Sequence, residues 1–157
     1  MQNSRVLETP LKHPGSERSA AVLRVDDFWA ATPVSITQGK YVLVVASERT
    51  ACFSSTEVAR AWIDAGASYV CAWGRTSGET EEAFDYSAFL PELGAPLSFT
   101  LMTTSHREEP LEEALWFAFY NATAPDDLQH DLASVVIVVE SAALEQKCIS
   151  WVLENTE

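Results

Sequence analysis

Glycine is scarce where a nucleotide site would need it. Only six occur in the chain, and "ASERTACFSST", which follows the first long apolar run, contains none. Phosphate cradles of the G-x-G-x-x-G and G-x-x-x-x-G-K-[ST] kind require glycine there to bring backbone N–H groups close to the ligand, so no nucleotide cofactor is expected. Positive charge is also short: 10 Lys and Arg stand against 23 Asp and Glu, a net charge of −13, with no basic cluster. Binding a phosphate backbone relies on such clusters to release counterions, and nucleic acid is therefore not an expected partner. The three cysteines, Cys52, Cys71 and Cys148, show no C-x-x-C spacing. Cys71 lies in an apolar run and Cys148 on an apolar helix face, so both read as small buried hydrophobes of a reducing compartment. No apolar run approaches the ~20 residues of a membrane span, and the polar start "MQNSRVLETPLKHPGSERSA" lacks the apolar core of a signal peptide. A cytoplasmic protein with no membrane partner is the expectation.

What is present is ordinary globular composition, 47% hydrophobic and 21% charged over 157 residues. A chain of that length forms one domain that buries roughly two-thirds of its unfolded surface without staples. Residues 1–19 carry Pro10, Pro14, Gly15 and mixed charges without a period and read as a flexible arm. Residues 20–157 read as the domain. Ala20–Val25 is short enough for an edge strand, whereas "YVLVVAS", "SYVCAW", "LSFTLMTTS" and "ASVVIVVES" are runs of the kind buried on both faces. Between them lie helical patterns. Ser54 and Glu57 fit a capping box ahead of Val58, Ala61, Trp62 and Ala65, with Gly66 as the stop. "SGETEEAFDYSAFLPELG" turns Ala83, Phe84, Phe89 and Leu90 inward, Pro110 opens "LEEALWFAFYNA", and Leu144, Cys148, Trp151 and Val152 share a face of the last helix. Strands alternating with helices imply a single three-layer α/β/α domain with a mainly parallel sheet of four to five strands.

In such sheets ligands bind outside the carboxyl ends of the strands. The residues that leave those ends are Ser47, Glu48, Arg49 and Thr50; Gly74, Arg75, Thr76 and Ser77; Thr104, Ser105, His106 and Arg107; and Glu140 and Ser141. Topology alone would gather them. Glu48, Arg49, Arg75, Ser105 and His106 are the candidate ligand-binding set. Ser105 and His106 with Glu48 or Glu140 contain the residue types of a hydrolytic triad, but the G-x-S-x-G elbow that would expose the serine is missing. No catalytic residue is assigned. Cys52 beside the Ser54 helix start is an activated thiol only if the dipole reaches it, and a buried inert cysteine is the preferred reading. Arg49, Arg75 and Arg107 are able to hold a small anion, or to pair with Glu48, Glu79 and Glu108 as a rim. Asp126, Asp127, His130 and Asp131 lie close in sequence, yet capping of a turn after Pro125 explains them better than metal binding, so no metal site is expected.

Aromatic residues supply a second signal. The helix from Leu111 to Tyr120 is apolar around nearly its full circumference, where one stripe would cover a sheet, so a further surface must shelter it: the arm, the last helix or another chain. Trp29, Trp73, Trp116, Phe117 and Tyr120 are the candidate interface residues. With the acidic balance, they favour a non-enzymatic binding or accessory protein that works by protein association. It would be either an acidic partner of a basic protein, as an immunity or antitoxin protein is, or a homo-oligomer. The alternative is a small-ligand sensor or enzyme that uses the crevice at the strand ends.

Overall fold

The β-branched runs become the strands. The computed structural model describes residues 4–6, 11–12, 18–25, 39–48, 55–126 and 132–154. Its elements in chain order are β1 (Ser4–Val6), β2 (Leu11–Lys12), β3 (Ser19–Val25), β4 (Tyr41–Ser47), α1 (Thr56–Asp64), β5 (Ala67–Gly74), α2 (Ser77–Ser87), a 3-10 turn (Pro91–Leu93), β6 (Met102–His106), α3 (Leu111–Tyr120), β7 (Ser134–Val139) and α4 (Ala142–Glu154). Five strands run parallel in the order β3-β7-β4-β5-β6. This is one α/β domain. β1 and β2, both within the segment read as an arm, pair antiparallel with the outer side of β3, Val6 opposite Leu23 and Leu11 opposite Ala20. β3, expected at the sheet's edge, is therefore flanked on both sides.

Alternate residues of the central strands feed two separate clusters, because successive side chains leave a strand on opposite faces. Val42, Val44, Cys71 and Ile137 pack with Leu115 and Phe119 of α3 and Leu144 and Cys148 of α4. Leu43, Val45, Val70 and Val136 pack with Trp62 and Ile63 of α1 and Phe84 of α2. The connections β4-α1-β5 and β5-α2-β6 step along the sheet in one direction, while β6-α3-β7 steps back past β4. Right-handed crossovers demand that such steps lie on opposite faces.

Several local readings need correction. Ser55, one residue after the expected Ser54, caps α1, its Oγ accepting from the Val58 backbone N–H at 3.2 Å. The buried side of α1 is Ala59, Arg60, Trp62 and Ile63, and Ala61 and Ala65 face outward. Arg60 makes that rotation tolerable. The residue is 6% exposed, and its guanidinium donates to Asp64 Oδ1 at 3.0 Å, Ser87 O at 3.1 Å and Ala95 O at 2.6 Å, joining α1 to the end of α2 and the loop beyond. Phe89, expected inward, is 79% exposed. The third apolar run begins its strand only at Met102, and Phe99 instead turns into the α1–α2 cluster with the Lys40 ammonium 4.7 Å from its ring centroid.

The aromatic surplus of α3 is mostly absorbed within the chain. Phe117 stacks obliquely on Tyr69 and His106, and Phe119 meets Trp151 of α4 at 5.5 Å between centroids. Of the cover that the sequence demanded, Trp151 of α4 and His106 of β6 supply part. Trp116 alone of this set remains 47% exposed.

Candidate functional site

The carboxyl ends of the parallel strands lie on one rim, as the topology requires. Strand order reverses between β4 and β7, the usual place for a ligand. Here it is closed from within: Glu140, 4% exposed, accepts from the Glu48 backbone N–H at 3.0 Å and so links the two diverging ends. The open space lies to the side, a crevice of about 440 Å³ lined by Ser47, Glu48, Trp73, Gly74, Arg75, Arg107 and Glu108. Gly74 sets its depth. With φ 115° it occupies the left-handed region, and a Cβ there would run into the Ser47 carbonyl oxygen, so only glycine lets β4 and β5 end this close together. Glu48, Arg75, Arg107 and Glu108 are all exposed, and charges so placed attract one another weakly through water.

Ser105 and His106, adjacent in sequence, are separated by the sheet. Ser105 lies opposite Ala72 and shares a 2.7 Å hydrogen bond with Ser77 at the start of α2. His106 lies opposite Trp73 and points to the other face, where it is 5% exposed against Phe117. The period of two along β6 forbids a serine–histidine dyad between neighbours. Of the candidate ligand set, Glu48 and Arg75 line the crevice, and Ser105 and His106 do not. Arg49, Cys52, Trp29, Asp127, His130 and Asp131 lie outside the described residues. Among the described residues no three His, Cys, Asp or Glu side chains gather in a manner that would hold a metal ion. Burial pushes the Cys71 and Cys148 thiols up to about 12, which leaves them without thiolate at neutral pH.

A second concavity, of about 580 Å³, opens on the face that carries α3 and α4. It is lined by His106, Glu109, Glu112, Glu113, Trp116, Phe117 and Trp151. Its chemistry is of one sign. His106 Nδ1 lies 2.9 Å from Glu109 Oε1, and Nε2 lies 2.8 Å from Thr104 Oγ1. With its proton on Nδ1 the ring donates to the carboxylate and accepts from the threonine, so both contacts are satisfied. Trp73 donates its indole N–H to Glu109 O at 2.7 Å and fixes the backbone of the same residue. Trp73 and His106 thus converge on Glu109 from the ends of two neighbouring strands. Glu112 and Glu113 in the first turn of α3 stand one turn before Trp116 and Phe117, the i, i+4 spacing that places side chains on one face.

Residues 20–155 match a family described as a domain of unknown function, DUF7684. The chain belongs to that family. No curated protein and no solved structure matches it. The DUF7684 span runs from β3 to the end of α4, so it includes the crevice and the slot alike, whereas β1 and β2 precede it.

Sequence reasoning chose Trp116, Phe117 and Tyr120 on one helix and missed their companions. Glu109, Glu112, Glu113 and Trp151 complete the slot. The signal was available in "EEPLEEALWF", where four carboxylates precede two aromatics, but a helix start favours negative charge whether or not a site is present. Tyr120 packs on Trp116 at 5.4 Å between ring centroids and stands behind the slot. No helix of the described residues is long and apolar enough to cross a membrane.

Proposed function

We propose that this chain works by binding a basic protein partner through the α3–α4 face, as an accessory or neutralising protein of the immunity or antitoxin kind, and not by catalysis. The observation that carries the reading is the slot itself: an exposed tryptophan beside Trp151, with three carboxylates around them. An aromatic anchor ringed by charge of one sign is the pattern of an interface centre. The net charge of −13 acts in the same direction, since it draws a basic partner and repels a second copy of the chain. The separation of Ser105 from His106 removes the one nucleophile–base pair that the sequence offered.

Isolation from the native host at low ionic strength tests this. A basic protein should accompany the chain, leave it as salt rises to about 0.5 M, where surface charges are screened, and be absent when Trp116→Ala is used. A chain that emerges alone and monomeric at both salt concentrations overturns the proposal.

One feature favours a second reading. Arg75 and Arg107 share the crevice of about 440 Å³, an arrangement suited to a small anion. Thermal stabilisation by a panel of carboxylates and phosphates, lost in Arg75→Ala, is its signature. Its absence removes the ligand-sensor alternative.

A further inference from the structure

Among the described residues, three concave regions differ in the chemistry they offer a ligand. The groove bordered by Phe89, Leu97, Phe99 and Leu101 carries a single charged group, Asp85, which already accepts from the Thr103 hydroxyl at 2.8 Å. The strand-end crevice carries exposed charges of both signs, which attract one another only weakly through water. The α3–α4 slot differs from both, because aromatic faces and carboxylates of one sign meet there around a group that is already held in position.

We propose that this slot is a receptor for a single arginine side chain, the guanidinium lying against Trp116 and Trp151 and pairing with Glu109. This deepens the association reading and rests on it. The dipole of α3 accounts for Glu112 and Glu113 on its first turn. It favours a carboxylate at Glu109 too, but it does not account for that side chain being oriented by a histidine only 5% exposed. Nor does it account for a tryptophan left 47% exposed one turn after Glu112. A carboxylate whose direction is fixed while its side chain stays 44% exposed is suited to an incoming donor pair. Arginine fits better than lysine. Its planar guanidinium stacks on an indole, binds a carboxylate through two parallel N–H donors, and is more weakly hydrated than an ammonium group. An apolar ligand would have to bury the glutamates unpaired, and an anion would meet three like charges.

The test uses the full chain and N-acetyl-arginine amide, followed by tryptophan fluorescence and by the indole N–H signals in NMR. Saturable binding in the millimolar range, the scale of a single anchoring side chain, is the expected result. The neutral isostere, N-acetyl-citrulline amide, should give no saturation, and the lysine amide should bind more weakly. Trp116→Ala and Glu109→Gln should each weaken binding about tenfold with the melting curve retained, whereas Phe89→Ala, elsewhere on the surface, should leave it unchanged. Absence of saturation at about 100 mM, equal response to citrulline amide, or indifference to Trp116→Ala overturns the proposal. The two readings fail separately. If arginine amide binds and no basic protein accompanies the chain in its host, the receptor stands and the association reading falls. If a basic partner accompanies the Trp116→Ala chain undiminished, association with a basic protein stands but through another surface, and the receptor falls.

Discussion

The crevice at the strand ends and the slot between α3 and α4 share a neighbour in Trp73, which lines the first and holds the Glu109 backbone at the second. In the crevice, Glu48, Arg75, Arg107 and Glu108 all project from strand ends into solvent, and opposite charges side by side cancel much of each other's field. In the slot, carboxylates of one sign face aromatic walls, and one of them is fixed by a buried ring. Convergence is therefore a poor guide to a site. Topology gathers residues at a rim whatever their chemistry, and what remains available to a ligand depends on which groups are left unbalanced.

The comparison breaks most completely if the sheet itself fails. Val44, fully buried and flanked by Cys71 and Ile137, has no room for a charge, so Val44→Asp should abolish the cooperative melt and with it both concavities. A soluble Val44→Asp protein with an unchanged melt would refute the burial of β4 on both faces. Gly74→Ala separates the two regions next. A Cβ pressed against the Ser47 carbonyl oxygen, at a backbone conformation costly for other residues, should destabilise by roughly 2–4 kcal/mol. Damage should centre on the crevice, which hydrogen exchange along β4 and β5 would locate. A smaller effect sharpens the comparison by pH. Cys71 and Cys148 have folded-state values raised to about 12 from the ordinary 9.0, so their contribution is fully present below pH 9 and is lost as pH climbs from 9 toward 12, the unfolded chain giving up its protons first. Alkaline melts should fall over that window, and a thiol reagent at pH 8 should reach neither residue until the chain unfolds.

The strands were legible because burial on both faces leaves a continuous apolar record: β4 and β7 are buried at every position, and both stood out as unbroken β-branched runs. β6 was only half legible. With a neighbour on one side only among the described strands, it alternates Met102, Thr103, Thr104, Ser105 and His106 without an apolar run, and the Leu97–Leu101 stretch before it looked more strand-like than it is. The face of α1 was misjudged for a different reason. Arg60 is polar by composition, but three acceptors around its guanidinium let it occupy a core position that a hydrophobic stripe would not assign to it. The slot was legible in its helix and not in its partners, since no periodicity within α3 reveals that Trp151 and a histidine from β6 will stand beside it.

Arg18, just ahead of β3, donates to the Ala118 carbonyl at 2.7 Å in the last turn of α3, while the segment entering that helix is moored through Glu109. Ties at both extremities restrain that helix against swinging. An arginine received there, as proposed above, should then bind in one encounter-governed step with no slow relaxation behind it, the entropy of ordering falling on the incoming side chain alone.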